Sequence, residues 1–520
     1  MEKSKDFGQG EAAIRARENA SGNWMPLVNW GWVYPGNRGV NRQGLYDLYD
    51  APVGVRMTVE EGVKSEPLLV AQEDWEGNGT LEPMRMWQAE GKYHLLYYAH
   101  PGSQNPAAGL GGTPEEQQQR GGMGYAVSED AYHWVRPNLG QVEFAGSRDN
   151  NKLADAPTGS PFIDPQAPAA ERFKAIGQEG GCFDPDTGQP LPQAEAYRRM
   201  KAMEYEGPAY KGPKMAGRHW ISGWVSPDGL HWKKREKPLA NMPADSGNAA
   251  HWDEGRQEYF AYLRMGGMGR RAIGLSRTKD FWHWPEGTLV YTPDPQDEPD
   301  VSFYAGDVFE YPGRKDLWGM FLQIYHQVTD HCDMQIAFSH DGLYWHRPER
   351  KVVIPVGRPG DGDECQVRSW GGLYELPDGY WGTMYRGESW LHNSRGLMPV
   401  GGGQIRWARW RPHRFCGIEA AGEGKFSIST VKREKNELRL NYRCSPAGWI
   451  AVELIRNIPS RLHPDADPIP GFSFEESERL TGDNLDAPVR WSGKSDLSGV
   501  DEVVAIRVRM FQAKLFAFSI

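Results

Sequence analysis

The sequence predicts an all-β protein, a five-bladed β-propeller followed by a C-terminal β-sandwich. Three observations predict this fold: the composition, a repeated hairpin motif, and a change of pattern near residue 414. Of the 520 residues, 62 are glycine and 38 are proline, and 12% are aromatic. Glycine and proline favour tight turns and aromatic residues favour strands, so this composition predicts many short strands rather than long helices.

A turn that ends in tryptophan repeats along the chain. Its four copies read SEDAYHW from Ser128, SPDGLHW from Ser226, SRTKDFWHW from Ser276 and SHDGLYW from Ser339. Each copy follows a short β-like stretch, and Asp-Gly, where present, supplies the positive φ that a tight turn requires. The tryptophan is a large anchor that packs between neighbouring sheets. We therefore interpret Asp130, Asp228 and Asp341 in these turns as structural acids.

A second hairpin, made of a strand, a polar turn and an aromatic strand, lies upstream of each copy and occurs once more after the last. These hairpins span residues 84–100, 160–177, 249–264, 308–326 and 371–387. After the fifth hairpin an arginine- and tryptophan-rich strand at 404–415 takes the place of the Ser-Asp turn. The chain thus contains five four-stranded units of roughly 60 residues, and propellers use about four to eight such blades.

The pattern changes after about residue 414. Short alternating stretches such as FSISTV, LRLNY and WIAVELI follow, separated by glycine, asparagine and aspartate, which is typical of a compact β-sandwich. We therefore predict an N-terminal extension at 1–64, a propeller carrying the site at 65–413, and a sandwich at 414–520.

Charge and hydropathy exclude several classes of function. The formal charge is −10, from 59 basic and 69 acidic residues, and no basic cluster occurs, so a nucleic-acid partner is not expected. No apolar run approaches the roughly 18–20 residues of a membrane helix, so no membrane association is expected. The first residues lack a secretory signal pattern, which predicts a cytoplasmic protein. The sequence leaves open whether the protein forms a homo-oligomer.

Cofactor chemistry is not indicated either. The five cysteines are far apart and form no C-x-x-C pair, so neither a disulfide framework nor a thiolate zinc site is predicted. No H-E-x-x-H, Walker, G-x-G-x-x-G or G-x-S-x-G motif is present. We predict no metal and no cofactor.

Three segments carry a family resemblance. Residues 124–151, 225–234 and 471–498 resemble the five-bladed propeller glycosidases related to glycoside hydrolase families 32, 43 and 68, with the C-terminal sandwich of family 32. The resemblance covers about residues 45–515. It implies a glycoside hydrolase or transglycosidase that removes a non-reducing-end sugar, with furanosides among the candidates, from a small carbohydrate substrate.

This chemistry needs two carboxyl groups on opposite sides of a glycosidic bond, a proton donor and a nucleophile or base. In a propeller the innermost strands line the axial channel, so the acids at the starts of the units are the catalytic candidates: Glu82, Asp245, Asp307 and Glu364. The order of the family implies Glu82 as nucleophile or base and Asp245 as stabiliser. The proton donor is Glu364 or Asp307: the Glu-Cys pair favours Glu364, and the blade of Asp307 matches the order of the family better.

Sugar sites combine aromatic platforms with charged groups that bind hydroxyls. The binding candidates are Trp75, Arg85, His100, Asp155, Arg264, His326, Arg368 and Arg386. For Trp75 the alternative is packing between blades. His100 and His326 follow aromatic strands at equivalent positions, which favours a shared structural role over proton donation or metal binding.

Three other functions stay open. A sialidase-type enzyme is suggested by the Ser-Asp turns, but requires six blades and an arginine triad. A phosphorylase would need a basic phosphate pocket and one proton donor. A non-catalytic carbohydrate-binding propeller would have no need of several converging acids.

Overall fold

The structure is a computed structural model. It describes residues 24–40, 46–77, 79–101, 119–180, 182–184, 187, 190–191, 195, 198–199, 202, 211–212, 219–236, 239–240, 246–267, 269–393, 403–456 and 467–520. Short 3₁₀ helices lie at Trp30–Trp32, Asp74–Glu76 and Ala169–Glu171. Residues 119, 195, 198, 199 and 202 are helical, and the remaining longer elements of the described residues are strands, which confirms the predicted all-β class.

Three four-stranded antiparallel sheets follow one another along the chain. Sheet 1 contains Thr80–Ala89, Lys92–His100, Gly122–Ser128 and Trp134–Val135. Sheet 2 contains Pro161–Ile163, Phe173–Gly180, His219–Ser226 and Lys233–Lys234, beside a small hairpin of Cys182–Phe183 and Pro190–Leu191. Sheet 3 contains Ala249–Asp253, Glu258–Gly267, Arg270–Thr278 and Thr288–Tyr291. In each sheet the strands pair in chain order.

Two further antiparallel groups share hydrogen bonds. Sheet 4 contains Val301–Tyr311, Arg314–His326 and His331–Ser339. Sheet 5 contains Gln366–Ser369, Tyr374–Glu375, Trp381–Glu388 and Gly403–Trp410. One parallel pair, Cys332 with Gln366, joins the two groups. Val63–Lys64 and Leu69–Val70 complete sheet 5 at its outer edge, although they precede sheet 1 in the chain.

The five sheets pack on one another in a closed cycle. Each interface contains a buried apolar cluster that joins consecutive sheets: Trp87 with Phe173, Phe162 with Tyr259, Phe260 with Trp318, and Phe321 with Trp381. The cluster of Leu81, Tyr97 and Trp407 joins sheet 5 back to sheet 1. This cyclic packing places the first strand of every sheet at the centre, as in a propeller.

The repeated turns link the third and fourth strands of the sheets. In the first copy, Asp130 Oδ1 accepts hydrogen bonds from the backbone N–H groups of Tyr132 and His133, both at 2.8 Å. The Trp134 indole N–H donates to the Ala131 carbonyl at 3.2 Å. The same bonds recur in the second and fourth copies, so these acids support turns, as the sequence predicts.

The third copy has a different start from the one predicted. Thr278, and not Ser276, takes the serine position, because its hydroxyl accepts from the Asp280 backbone N–H at 3.0 Å. His283 then contacts Asp280 at 2.6 Å. Since threonine offers the same hydroxyl as serine, the copy reads T-x-D-x-x-H-W and has the same length as the others.

The C-terminal region forms one sheet of long, bent strands. It contains Cys416–Lys432, Arg439–Ile455, Asp483–Pro488 and Val503–Ser519. Register shifts interrupt the pairing after Ala420, Ile428 and Cys444, and such bulges let a long strand bend around its own core. The region is β-structure as predicted, and the sandwich and its boundaries stay a prediction.

The N-terminal segment is more than an extension into the first blade. Met25–Pro26 and Arg56–Val59 are strands of the C-terminal sheet. Asn37–Val40 and Tyr46–Tyr49 pair with each other. Among the described helices, none has the length and apolar character needed to cross a membrane.

Candidate active site

An ionic network lies where sheets 1 and 5 meet. Glu82 lies near the start of the first strand of sheet 1, and Arg386 and Glu388 lie at the end of Trp381–Glu388. Arg368 is directly opposite Arg386 in the antiparallel pairing of sheet 5. Like charges in this position repel each other, so the two arginines need carboxylates nearby.

The carboxylates come from both sheets. Arg386 Nη1 lies 3.0 Å from Glu82 Oε2, and Arg368 Nη2 lies 2.7 Å from Glu388 Oε2. Glu388 Oε1 is also 3.4 Å from Arg386 Nε. His100 Nε2 lies 2.5 Å from Glu82 Oε2 and donates its proton, since a carboxylate only accepts. Except for His100, whose side chain is 41% exposed, the network is buried.

These contacts keep both glutamates ionised. Burial would raise the pKa of Glu82, but the charge of Arg386 and the hydrogen bond from His100 outweigh it and hold the pKa well below the usual value. Arg386 and Arg368 lower the pKa of Glu388 against its burial in the same way. Burial lowers the pKa of His100. The half-exposed imidazole is therefore neutral near pH 7 and hydrogen-bonded to a carboxylate.

Asp307 has the opposite electrostatic character. It is buried in the first strand of sheet 4 and accepts hydrogen bonds from the Ser369 hydroxyl and the Gly372 backbone N–H, each at 3.0 Å. Burial raises its pKa to about 7, against the opposing effect of these two bonds and the charge of Arg85. Asp307 therefore holds its proton up to neutral pH.

The first strands of three sheets converge around this group. Arg85 of sheet 1 donates through Nη1 to the Gly371 carbonyl at 3.2 Å. Gly371 has φ +94°, and a Cβ there would lie 3.0 Å from the Met84 carbonyl, so the close approach favours glycine. A Cβ on Gly372 would lie 3.8 Å from the Val308 carbonyl of sheet 4. Asp307 and Arg85 thus lie at the centre of the cycle.

Three arginines surround Tyr304, a buried residue of sheet 4. The guanidinium carbons of Arg264, Arg271 and Arg368 lie 4.9, 5.1 and 5.1 Å from the centre of its ring. Burial would raise the pKa of Tyr304, but the charges of Arg368 and Arg264 outweigh it and lower the pKa. We name these three residues the arginine cluster. Arg368 belongs to both the cluster and the ionic network, so the two are continuous.

The structure brings seven of the predicted residues into these groups. Glu82, His100, Arg368 and Arg386 form the ionic network together with Glu388. Arg264 joins them through Tyr304. Asp307 and Arg85 form the central group, in which the charge of Arg85 acts on Asp307. The central group is linked to the network because Ser369 follows Arg368 in one strand.

Other predicted residues lie apart. Glu364 accepts hydrogen bonds from its own loop, from the Gly362 N–H at 2.7 Å and the Gly360 N–H at 3.4 Å. Trp75 is 2% exposed and donates to Asn151 Oδ1 at 3.1 Å, inside the apolar cluster between sheets 5 and 1. It packs between blades, which was the alternative to a binding role.

Of the remaining predicted residues, Asp155 lies on a loop, His326 lies at the end of a strand, and Asp245 is outside the description. Asp155 is exposed, with φ +51°. His326 Nε2 lies 3.0 Å from Asp333 Oδ2, and this hydrogen bond raises its pKa despite partial burial. It ends the second strand of sheet 4 as His100 ends that of sheet 1, and each has a carboxylate partner. Asp245 lies outside the described residues.

One group in the described part of the chain has metal-ligand composition. The ligand atoms of Glu298, Asp300 and His326 lie within 4.8 Å of one another. Glu298 is exposed and His326 is already bonded to Asp333, so this arrangement also fits a solvated ion-pair cluster.

Sequence reasoning did not identify Glu388, Tyr304 or Arg271. Glu388 has a local signal, because it follows Arg386 by two positions in a strand and so faces the same side. Tyr304 and Arg271 have none. Their importance comes from contacts between strands of sheets 3, 4 and 5, which no single segment of sequence contains.

No protein-family model matches the chain, and no curated protein matches it. Among solved structures, a glycoside hydrolase has a TM-score of 0.41 and 14% identity, covering 69% of this chain and 93% of that one. The Bombyx mori GH32 β-fructofuranosidase has a TM-score of 0.38 and 9% identity, and the match covers 85% of this chain and 91% of that one. The catalytic domain of the Coprinopsis cinerea GH62 α-L-arabinofuranosidase has a TM-score of 0.41 and 10% identity, and the match covers 68% of this chain and 97% of that one. The chain is thus similar to glycoside hydrolases of propeller-type families. With TM-scores below 0.5, the similarity is distant and assigns neither an activity nor a site residue.

Proposed function

We propose that the protein is a glycosidase that cleaves a sugar from an oligosaccharide or glycoside, as a hydrolase or transglycosidase. One observation carries the proposal. The central region holds a carboxylate that stays ionised, Glu82, and a carboxyl group that stays protonated up to about pH 7, Asp307. Carboxyl groups whose surroundings separate their pKa values in this way suit the base and acid roles of glycoside cleavage.

Glu82 is assigned as the nucleophile or base. The arginine at 3.0 Å and the imidazole at 2.5 Å both contact Oε2, so Oε1 carries no such contact. A carboxylate held ionised on one oxygen keeps lone pairs on the other for attack on the anomeric carbon or for accepting a proton from water. Arg386 and His100 act as positioning residues, since they act on substrate through Glu82.

Asp307 is assigned as the proton donor in preference to Glu364. Protonating the leaving oxygen requires a carboxylic acid that still carries its proton at working pH. Burial gives Asp307 this property, with a pKa of about 7, whereas the hydrogen bonds of Glu364 come from the glycine-rich loop at 360–362, outside the central group. The sugar itself, a furanoside among the candidates, is not assigned by this pairing.

The test measures kcat on aryl glycosides with leaving groups of different acidity. The substrates are a panel of nitrophenyl and methylumbelliferyl furanosides and pyranosides. Glu82→Gln keeps the shape of the side chain and should lower kcat by roughly 10²–10⁴-fold on every active substrate. Asp307→Asn should lose as much on substrates with poor leaving groups but recover with nitrophenyl substrates, which need no protonation.

Asp130→Asn is the matched control, because Asp130 lies in a turn outside the site. It should leave kcat at the wild-type value. If Glu82→Gln and Asp307→Asn both keep the wild-type kcat, the proposed roles are wrong. If the wild-type protein binds oligosaccharides but hydrolyses none of the panel, the non-catalytic carbohydrate-binding function replaces this one.

A further inference from the structure

One cation of the arginine cluster, Arg271, is not balanced by a carboxylate of the described residues. Glu388 pairs with Arg368 and also contacts Arg386, whose other partner is Glu82. Two glutamates therefore serve two arginines. Arg271 has no carboxylate within salt-bridge distance in the described part of the chain. Its guanidinium lies instead 5.1 Å from the Tyr304 ring and 4.7 Å from the Tyr325 ring.

Aromatic rings compensate such a cation only in part. A guanidinium over a ring gains less than it gains from a charge-assisted hydrogen bond in a partly buried site. Arg271 as a residue is half-buried, so it is less hydrated than a surface arginine but is not closed off from solvent. The lowered pKa of Tyr304 is a second sign of positive potential here, because burial alone would have raised it.

The position of the cluster matters as much as its charge. Arg368 is shared with the ionic network that holds Glu82. A ligand group bound by Arg271 would lie next to Tyr304, which Arg368 of the ionic network also contacts. Guanidinium groups bind carboxylates and oxyanions through paired N–H donors, which suits a charged substituent better than a neutral hydroxyl.

We propose that the arginine cluster is an anion subsite of the candidate active site, which takes a carboxylate or oxyanion group brought by the substrate. Its description as a substrate subsite rests on the proposed glycosidase function. The same chemistry has two sources, a charged sugar such as a uronic acid and free inorganic phosphate acting as a second substrate. The first makes the enzyme selective for acidic sugars, and the second makes it a phosphorylase.

Binding of defined probes to the full chain tests the subsite. Isothermal titration calorimetry in a phosphate-free buffer compares glucuronic acid with glucose, galacturonic acid with galactose, and inorganic phosphate alone. We expect at least one acid to bind roughly tenfold or more tightly than its neutral parent. Arg271→Gln should remove that advantage, and added salt should weaken it.

Arg270→Gln is the matched control, because successive side chains of a strand point to opposite faces. It should keep the wild-type affinities. Should Arg271→Gln fail to fold, as judged by thermal unfolding, Arg271→Lys keeps the charge and should retain part of the preference. The comparison of acid with neutral parent needs no variant at all.

Each result of these measurements supports or overturns either the anion subsite or the proposed function. Equal affinity for acid and neutral sugar, together with no phosphate binding, overturns the subsite, and so does an equal loss in the Arg270 and Arg271 variants. Phosphate binding that depends on Arg271, without a preference for uronic acids, keeps the subsite and identifies phosphate as its source. Hydrolysis of neutral aryl glycosides without any anion binding defeats this inference alone. Uronic acid binding without hydrolysis of any glycoside defeats the proposed function alone.

Discussion

Carboxylate–imidazole pairs occur in two regions of the molecule, at the centre of the cycle of sheets and in the repeated turns. His100 lies 2.5 Å from Glu82, and in the turns His133 and His231 each lie 2.7 Å from Asp130 and Asp228. The distances are similar but the surroundings differ. The Asp130 side chain is 47% exposed, whereas the Glu82 side chain is 12% exposed and touches a buried arginine.

The difference teaches that the pair itself does not make a site. In the turns the aspartate also accepts backbone N–H bonds, so it organises its own loop and water screens its charge. At the centre, burial removes the screening, and the arginines decide the protonation state of the glutamate. The same two functional groups are structural in one place and candidates for chemistry in the other.

The largest effect is expected at the centre of the cycle, where the rate of the reaction should depend on pH. If Asp307 donates the proton, kcat/KM should fall as the pH rises through about 7, because the carboxyl group then loses its proton. Asp307→Asn should lower kcat by roughly 10²–10⁴-fold on natural oligosaccharides. A pH–rate profile of the wild-type protein checks this. An unchanged rate between about pH 6 and 9 would contradict the assignment.

Stability gives an independent measure of the same group. The folded-state pKa of Asp307 is raised, so the stability it contributes is fully present below about pH 4 and is lost as the pH rises through the folded value of about 7. Urea unfolding at several pH values should show this decline in the wild-type protein. In Asp307→Asn that part of the decline should be missing.

An intermediate effect concerns the buried ion pairs. Glu388→Gln leaves Arg368 and Arg386 opposite each other with one carboxylate fewer. Removing one partner of a buried pair costs about 3–5 kcal/mol, so we expect a loss of free energy of unfolding near the lower end, because glutamine still accepts a hydrogen bond. Urea unfolding at pH 7 measures it. A loss no larger than that of a turn variant would mean that the network is weakly coupled.

The smallest effect is expected in the turns. Asp228→Asn keeps an oxygen that can accept the backbone N–H groups of Leu230 and His231, but it loses the charge and the oxygen that faces His231 Nδ1. Because the pair is exposed, the free energy of unfolding should change by about 1 kcal/mol or less. Glycosidase activity should stay at the wild-type value. A large loss of activity would show that the turns communicate with the centre.

The part of the fold that the sequence could predict is the part that depends on short, local sequence patterns. The Ser-Asp turns, the aromatic hairpins and the change after residue 414 are each contained in short segments, and their hydrogen bonds are local. The turn beginning at Thr278 shows the limit, because the pattern was aligned on Ser276 although threonine supplies the hydroxyl. The outer strands of sheet 5 at Val63–Lys64 and Leu69–Val70 carry no repeat signal.

The candidate site was predictable only in outline. Glu82 and Asp307 were proposed from their position at the starts of first strands, and the structure gives each of them partners from sheet 5. Glu364 fits the same rule, yet its glycine-rich loop supplies N–H donors that turn it to a local role. The neighbouring Asp363 is the buried acid there, bonded to Lys64 and Tyr385. The arginine cluster depends on contacts between side chains of three sheets, and such long-range contacts cannot be predicted from a single sequence.

The strand pairing joins the two ends of the chain in a way that bears on how the protein is made. Lys64 pairs with Ala408, and Met25 pairs with Phe518. During synthesis the early strands leave the ribosome with open edges and no partners, because their partners lie several hundred residues further along the chain. Contacts of such long sequence separation slow folding and expose edges to other chains meanwhile. A cell producing this protein must therefore keep its first strands from mispairing until residues 403–519 have been made.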